Sequence, residues 1–197
     1  VLRALTLNDV QHAALTGVRG LVDAMAVLFL AWAMGTAIGE LGAAQYLVAT
    51  LGPSVPAWTL PTLVFGISAA IAFATGTSFG TMSIMIPLAI PLAFQLDPDS
   101  TLALATSAAV LSGATWGDHC SPISDTTVLS STGTGCDHGA HVATQIPYAL
   151  TAGGISILVC SIPAGFGVNP WLCLALGILS CGGAVRFFGK PPEKVAA

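Results

Sequence analysis

Two long stretches without a charged residue limit what this chain can fold into. No aspartate, glutamate, lysine or arginine lies between Glu40 and Asp97, or between Asp137 and Arg186. Only 7% of the residues are charged and 54% are hydrophobic, whereas a soluble domain usually carries about 25% charged residues. The chain cannot cover itself with a water-soluble surface. This excludes a cytosolic enzyme, a nucleic-acid-binding protein and a disordered protein, and it predicts an integral membrane protein.

The apolar stretches predict helices rather than strands. A spanning helix needs about 20 apolar residues, so each stretch has room for two passes. Strands of a membrane barrel alternate apolar and polar residues, and segments such as 27–38 and 155–168 do not alternate. We therefore expect an all-α membrane protein, built as a polytopic helical bundle.

The apolar runs and the polar intervals between them predict the order of segments. Each sufficiently long run is interpreted as a helix, and each polar or glycine-rich interval as a turn or a break. In chain order we expect a spanning helix at 21–41, apolar arms at 58–74 and 82–96, a helix at 101–115, a short helix at 126–132, a polar loop at 133–141, and two passes at 142–164 and 169–185.

The segment Thr75–Thr81 predicts a reversal between the two apolar arms. One continuous helix over 58–96 would be about 58 Å long, twice the hydrocarbon thickness, so the chain must either turn back or cross twice. The arms look short for full spans, which favours a re-entrant helical hairpin. Two full crossings would leave the later segments with the same orientation, so orientation alone does not separate the two alternatives.

The basic residues predict how the chain sits in the membrane. There are five of them: Arg3, Arg19, Arg186, Lys190 and Lys194. With either arrangement of the arms, all five fall on one side, which the positive-inside rule assigns to the cytoplasm. We expect one transmembrane domain at 21–188, with cytoplasmic segments at 1–20 and 189–197, in the cytoplasmic (inner) membrane. The chain begins at Val1 without a signal-peptide pattern, and we expect it to be a fragment of a longer protein.

Asp118 and Asp125 are the first candidate functional residues. Gly117 and Pro122 predict a break in the helix between Trp116 and Asp125. An acidic side chain at membrane depth is costly and usually lines an ion path or a proton relay. Carboxylate, hydroxyl and carbonyl oxygens suit a hard cation, so both acids are candidate Na⁺ ligands. The neighbouring candidate binding residues are His119, Ser121, Ser124, Thr126 and Thr127. The alternative is a surface loop with solvated carboxylates.

The hydroxyl-rich turn between the arms is the second candidate site. Thr75, Thr77 and Ser78 lie in an uncharged, glycine-containing segment. Two interruptions in neighbouring segments match the discontinuous helices that build transporter sites. The alternative is a plain turn, or small residues that pack helix against helix.

The cysteines and the remaining histidines predict no metal centre. The chain has five cysteines, an odd number, without a zinc-type pair, which argues against a disulfide framework or a metal cluster. Cys136, His138 and His141 are interpreted as solvated or hydrogen-bonded residues of a loop. Asp23 and Glu40 are interpreted as interfacial residues.

The residues around the break resemble a known family. The string Gly117–Ser131 (GDHCSPISDTTVLSS), together with 135–148, is similar to the signature of the NhaC-type Na⁺/H⁺ antiporter family. The upstream strings at 74–81 and 86–91 resemble the same family, so the resemblance covers about 21–164. It implies a fold of two inverted repeats, each with a re-entrant hairpin followed by a broken transmembrane helix. This chain would be the C-terminal repeat, with the hairpin tip and the break meeting near the midplane.

The resemblance implies a secondary Na⁺/H⁺ antiporter that works by alternating access, and not an enzyme. Asp118 and Asp125 would each bind Na⁺ when ionised and lose it when protonated, and His119 would relay a proton. No cofactor is expected beyond the transported Na⁺ and H⁺. The expected partners are the lipid bilayer, the missing N-terminal repeat of the same protein and a second copy in a homodimer, with no nucleic acid.

Two other functions stay open at this point. The first is a Na⁺- or H⁺-coupled carrier or exchanger of a small organic acid or amino acid, in which the turn with Thr77 and Ser78 binds the substrate carboxylate. The second is a membrane-embedded metal enzyme that uses His119, His138 and His141.

Overall fold

The computed structural model of the chain describes residues 6–16, 56–98 and 100–189, with single positions at 18, 29, 33, 37, 40–42, 46 and 50. Residues 7–16 are helical. The expected spanning helix at 21–41 lies largely outside the described residues. Asp23 and the basic residues Arg3, Arg19, Lys190 and Lys194 lie outside them as well. Glu40 is described and is exposed.

The described residues form helices and no strand. A short 3₁₀ turn at Ala57–Thr59 leads into the first long helix. The helices are α1 (Leu60–Thr75), α2 (Ser78–Leu96), α3 (Ser100–Cys120), α4 (Asp125–Thr134), α5 (His138–Ile155, continued by a π-helical segment Ser156–Ser161 and by Ile162–Gly165) and α6 (Pro170–Phe188). Within the described ranges, four spans are long and apolar enough to cross a membrane, at 57–75, 78–96, 138–165 and 170–187. The expectation of an all-α membrane protein is confirmed.

The turn between α1 and α2 is shorter than the sequence predicts. Gly76 ends α1 in the left-handed conformation, with φ 68°, which glycine adopts without steric cost. Thr77 caps α2, because its Oγ1 accepts a hydrogen bond from the Gly80 amide at 3.3 Å. Ser78 therefore lies in the first turn of α2 rather than in a loop. The two candidate spans of this hairpin have 19 residues each, so arm length no longer favours a re-entrant hairpin over two full crossings.

The break after α3 is also shorter than expected and lies further along the chain. The sequence places it at Trp116–Asp125, but α3 continues through Cys120 and the irregular segment is Ser121–Ser124. With 21 residues, α3 is about 31 Å long and extends beyond the 101–115 that the sequence predicts. The predicted loop at 133–141 shrinks to 135–137, because the Asp137 carboxylate caps α5 by accepting from the Ala140 amide at 2.9 Å.

Helix α3 contacts α1, α2, α4 and α5. It runs parallel to α1, because Gly113 lies against Phe65 and Gly117 against Ala69. A Cβ on Gly113 would lie 2.9 Å from the Phe65 Cα, and one on Gly117 would lie 2.7 Å from the Ala69 Cα. These glycines allow a close backbone approach, as small residues four apart do in membrane helix pairs. An apolar cluster joins the two helices to α2: Leu60, Val64, Met85, Ala89, Ala93, Leu102, Ala103 and Val110.

Helix α5 runs antiparallel to α3 and packs along its second half. The Trp116 indole Nε1 donates to the Ala149 carbonyl at 2.6 Å, and its ring lies over Gly153. The same ring stacks on Phe65 of α1, with centroids 5.7 Å apart. Trp116 therefore fixes α5 against the α1–α3 pair one turn before the break.

Candidate functional site

The turn of the α1–α2 hairpin and the break after α3 lie in contact. A Cβ on Gly76 would be 2.8 Å from the Ile123 carbonyl oxygen, so the bare glycine lies directly against the break. The Ser121 hydroxyl donates to the Phe73 carbonyl at 2.8 Å, near the end of α1. The two segments singled out from the sequence therefore lie against each other.

Four helix ends meet at this contact. The C-terminal ends of α1 and α3 carry negative partial charge, whereas the N-terminal ends of α2 and α4 carry positive partial charge. Discontinuous helices of this kind present both kinds of end to ions and to charged groups of a substrate. The site can therefore favour a cation on one side and an anionic group on the other.

Asp118 lies in the last turn of α3 and is buried, with only 7% of its surface exposed. Its Oδ1 has no hydrogen-bond partner among the described residues. On α3, Asp118 follows the buried residues Ala103, Val110 and Ala114. The first two of these belong to the apolar cluster with α2. A buried polar oxygen without a partner is unfavourable. The carboxyl group can lower this cost by binding a proton or a cation.

Asp125 occupies a different environment from Asp118. It is exposed and lies in the first turn of α4, where an acidic residue interacts favourably with the positive end of the helix. The sequence treats the two acids as equivalent ligands, but the structure gives only Asp118 the burial of an enclosed ion site.

Two of the predicted hydroxyl ligands already have structural partners. Ser121 is buried, and its Oγ accepts from the Ile123 amide at 3.3 Å while it donates to Phe73. Ser124 is buried and caps α4, with its Oγ 3.2 Å from the Thr126 amide and 2.8 Å from the Thr126 Oγ1. These two serines shape the break.

The other predicted hydroxyl ligands differ in whether their oxygen is buried and free to bind a ligand. Thr127 is buried, and its Oγ1 has no partner among the described residues. Thr75 is exposed and donates to the Ile71 carbonyl at 2.8 Å. Ser78 is half-buried in the first turn of α2, and Thr77 is half-buried and serves as the cap of that helix. Of these four, Thr127 has a buried hydroxyl that is free to bind a ligand.

Side chains of α5 occupy carbonyl groups at the break, which the sequence interpretation missed. Gln145 Nε2 donates to the His119 carbonyl. His138 Nε2 lies 2.7 Å from the Pro122 carbonyl and donates to it, and its Nδ1 lies 3.0 Å from the Ser131 Oγ. A glutamine in an otherwise apolar pass was the sequence signal for the first contact. The sequence predicts that His138 is a solvated or hydrogen-bonded residue of a loop. It is hydrogen-bonded, but it lies in α5 rather than in a loop.

A polar cleft of about 370 Å³ opens beside the break, between the end of α3, α4 and α5. Its lining consists of polar side chains: His119, Thr126, Thr127, Ser130, His141, Thr144, Gln145 and Tyr148. An apolar cavity of about 430 Å³ lies between α1, α3 and α5, next to Trp116 and Phe73.

The histidines do not assemble as a metal enzyme would require. His119 and His141 face the polar cleft, whereas His138 bonds to the break and to α4. Among the residues that the structure describes, no three histidine, cysteine, aspartate or glutamate side chains are grouped closely enough to hold a metal ion.

Comparison with known proteins relates the chain to ion antiporters. A family model described as the Na⁺/H⁺ antiporter family matches residues 1–163. An uncharacterized protein of Haemophilus influenzae is 42% identical over 149 residues, which covers 76% of this chain and 28% of that protein. A second protein of that organism, named an uncharacterized Na(+)/H(+) antiporter, is 33% identical over 114 residues, or 58% of this chain and 23% of the relative.

A third relative bears the name of a specific exchanger. The malate-2H(+)/Na(+)-lactate antiporter of Bacillus subtilis is 29% identical over 165 residues, which covers 79% of this chain and 32% of the relative. The chain thus spans about a third or less of the length of these relatives. No solved structure matches it.

Proposed function

The chain belongs to the Na⁺/H⁺ antiporter family, and we propose that it forms part of a secondary transporter that exchanges Na⁺ for H⁺ by alternating access. Its family and its apolar helices make it a multi-pass membrane protein of the antiporter class. The proposal concerns the exchanged ions and the residues that bind them.

Asp118 is the residue that alternates between the two ions in this proposal. The ionised carboxylate binds Na⁺, and a proton arriving on the same oxygen releases Na⁺, so that one buried group carries either ion but not both. The supporting observation is that Asp118 Oδ1 is buried and has no hydrogen-bond partner in the described part of the chain, next to the contact between the hairpin turn and the break. An intramembrane acid of this kind points to an ion pathway.

Asp125 and the hydroxyl groups have secondary roles in the proposal. The exposed Asp125 carboxylate at the start of α4 receives the cation from solution. Hydroxyl oxygens of Thr127, Thr77 and Ser78 supply neutral ligands, which a hard cation accepts. His119 exchanges protons with the polar cleft that it lines.

The remaining length of the full protein completes the transporter in this proposal. Because the relatives are much longer than this chain, we propose that an N-terminal repeat of inverted orientation supplies the other half of the ion path. The two ends of this chain lie on the cytoplasmic face of the cytoplasmic membrane, and two copies of the protein form a homodimer.

The test is Asp118→Asn in the full-length protein, reconstituted in lipid vesicles, with Na⁺-driven proton flux as the readout. Asparagine keeps the shape but cannot exchange Na⁺ for a proton, so flux should be lost. Asp137→Asn is the matched control, because it also removes one carboxylate while asparagine still caps α5. Thermal unfolding of both variants checks that they fold. Wild-type flux in folded Asp118→Asn would refute the proposal.

A second candidate is a Na⁺- or H⁺-coupled carrier of a small organic acid or amino acid. The polar cleft beside the break favours it, because a bare ion does not need about 370 Å³. The name of the Bacillus subtilis relative pairs organic acids with ions in that protein. Uptake of a radiolabelled organic acid, driven by a Na⁺ gradient in the same vesicles, would separate this candidate from simple Na⁺/H⁺ exchange.

A further inference from the structure

We propose that the Ser68 hydroxyl is a ligand of the ion that Asp118 binds, and that this ion lies between α1, α2 and α3. This assignment deepens the proposed ion exchange and rests on it. Ser68 is a residue that the sequence interpretation missed, and it places the ion inside the packing of these three helices rather than in the polar cleft beside α4.

Ser68 is a buried polar residue in the middle of α1, with 0% of its surface exposed. Its Oγ has no hydrogen-bond partner in the described part of the chain. A buried hydroxyl without a partner is unfavourable, and one that a native protein retains requires an explanation. A bound ion supplies the partner that is missing.

Other hydroxyl side chains of the same three helices show how such a group is normally satisfied. Serine and threonine inside a helix can donate to the backbone carbonyl four residues earlier. Ser68 does not make this bond to the Val64 carbonyl, so its oxygen is free for a ligand. Six neighbours do make it: Thr75, Thr81, Ser83, Ser107, Ser112 and Thr115.

Ser68 and Asp118 lie at nearly the same depth along the parallel pair of α1 and α3. The two helices meet where a Cβ on Gly117 would lie 2.7 Å from the Ala69 Cα. Ser68 directly precedes Ala69, and Asp118 directly follows Gly117. With a rise of 1.5 Å per residue, the two residues differ by only about 3 Å along the helix axes.

Ser68 and Asp118 also point to the same side of the α1–α3 contact. Successive residues are about 100° apart around a helix, so the residue before a contact on one helix and the residue after it on a parallel partner face the same way. Val64 lies one turn before Ser68, and Val110 lies two turns before Asp118. Both valines belong to the apolar cluster with Met85 of α2. Helix α2 therefore covers this side.

The residues on the opposite side of the contact agree with this orientation. Ala70 and Trp116, which lie next to the same contact positions, line the apolar cavity between α1, α3 and α5. Ser68 and Asp118 do not line that cavity, and they do not line the polar cleft. The two unpartnered oxygens therefore face one buried space beneath α2.

Two other hydroxyls of α1 and α3 also lack a partner among the residues that the structure describes. Thr106 lies twelve residues before Asp118, about 18 Å along α3. Thr62 lies seven residues before Ala69, about 10 Å along α1 from the level of the Gly117 contact. Oxygen ligands lie within about 2.6 Å of a hard cation, so neither threonine can bind the ion that Asp118 binds.

A carboxylate and a neutral hydroxyl make a suitable pair of ligands for Na⁺. The ionised Asp118 supplies the negative charge, and Ser68 supplies a lone pair. A proton on the Asp118 carboxylate does not require this second oxygen, whereas Na⁺ is bound by it. Ser68 therefore shifts the competition at Asp118 towards Na⁺.

The test is thermal unfolding of the purified full-length protein in detergent, because a bound ion raises the melting temperature. NaCl is compared with choline chloride at the same ionic strength, so that charge screening is equal. We expect Na⁺ to raise the melting temperature of the wild type. In Ser68→Ala, the Na⁺ concentration that gives half of this rise should increase about tenfold, as for the loss of a bond to a charged group. An unchanged half-point would overturn the assignment.

The melting temperature without Na⁺ separates an ion ligand from a structural residue. Ser68→Ala removes an unpartnered buried hydroxyl, so its melting temperature in choline chloride should equal or exceed that of the wild type. Ser112→Ala is the matched control, because Ser112 is exposed and its Oγ donates to the Ala108 carbonyl at 2.7 Å. This control should keep the wild-type half-point for Na⁺. A lower melting temperature of Ser68→Ala in choline chloride, with an unchanged half-point, would make Ser68 a structural residue only.

Asp118→Asn distinguishes failure of this assignment from failure of the proposed ion exchange. If the Na⁺-induced rise is lost in Asp118→Asn and the half-point of Ser68→Ala is that of the wild type, the ion site at Asp118 stands and Ser68 is removed from it. If the rise persists in Asp118→Asn, the proposed exchange at Asp118 is refuted together with this site. Loss of the rise in Asp118→Asn with a tenfold shift in Ser68→Ala supports both.

Discussion

Replacing Gly117 by alanine should separate α3 from α1 and destabilise the protein. The new Cβ would lie 2.7 Å from the Ala69 Cα and closer still to the Ala69 carbonyl oxygen. Carbon atoms normally meet at about 3.5–4.0 Å, so the two helices would have to move apart by about 1 Å. Both neighbouring atoms belong to the backbone and cannot rotate away. The bond from Ser121 to Phe73, one turn further along, would be stretched by the same movement.

Two opposing terms set the magnitude for Gly117→Ala. Alanine is favoured over glycine inside a helix by about 1 kcal/mol. Overpacking costs about 1–3 kcal/mol and occasionally more, and a clash between backbones belongs at the upper end of that range. The net loss should be about 2 kcal/mol, which corresponds to a fall of about 4–8 °C in the melting temperature.

Thermal unfolding of the purified protein in detergent, followed by circular dichroism, measures this effect. Gly182→Ala is the matched control, because Gly182 lies within α6 and a Cβ there meets no atom of the described residues within 4 Å. Its melting temperature should equal or exceed that of the wild type. If Gly117→Ala melts at or above the wild-type temperature, the close approach of α1 and α3 is refuted.

Two further predictions concern other contacts. Trp116→Phe removes the indole bond to the Ala149 carbonyl and should cost about 1 kcal/mol. The Cβ of Gly153→Ala would lie 2.6 Å from the Trp116 Cζ2. Gly153→Ala should therefore lower the stability of the wild type more than that of Trp116→Phe. Additive melting shifts in this double-mutant cycle would contradict the contact. In the N-terminal helix, hydrogen bonds from the Thr6 side chain and amide lower the pKa of Asp9. The stabilisation that the ionised Asp9 carboxylate gives to the helix end is therefore fully present above the ordinary pKa of aspartate. It is lost as the pH falls through the lowered pKa of Asp9. Thr6→Ala should raise the pKa of Asp9 in an NMR titration of a peptide of residues 1–20, and an unchanged pKa would exclude the cap.

The existence of the hairpin and the break could be predicted from sequence, but their boundaries could not. The sequence assigns Gly117 to the break in the helix, whereas its bare Cα is what allows α3 to pack on Ala69. Glycine has both roles in membrane helices, and only the partner helix decides between them. Likewise, Ser78 became helical because Thr77 caps α2, a local bond that composition does not reveal.

The candidate site shows the same limit at the level of single residues. Asp118 and Asp125 lie seven positions apart, and both interrupt an apolar region. Their difference in burial arises because Asp118 lies among the buried residues of α3, whereas Asp125 begins α4 with its side chain exposed. His138 and Gln145 could not be assigned from sequence, because their partners at Pro122 and His119 lie on other segments.

The bonds around the break argue for a particular kind of ion site. Carbonyl groups on both sides already accept bonds: Phe73 from Ser121, His119 from Gln145, and Pro122 from His138. A cage of free backbone carbonyls would hold a cation regardless of pH, because carbonyl oxygens do not take up a proton near neutral pH. The buried oxygen of Asp118 has no such partner among the described residues. A carboxylate is a ligand for which a proton and Na⁺ compete directly, which is the property that the proposed exchange requires of Asp118.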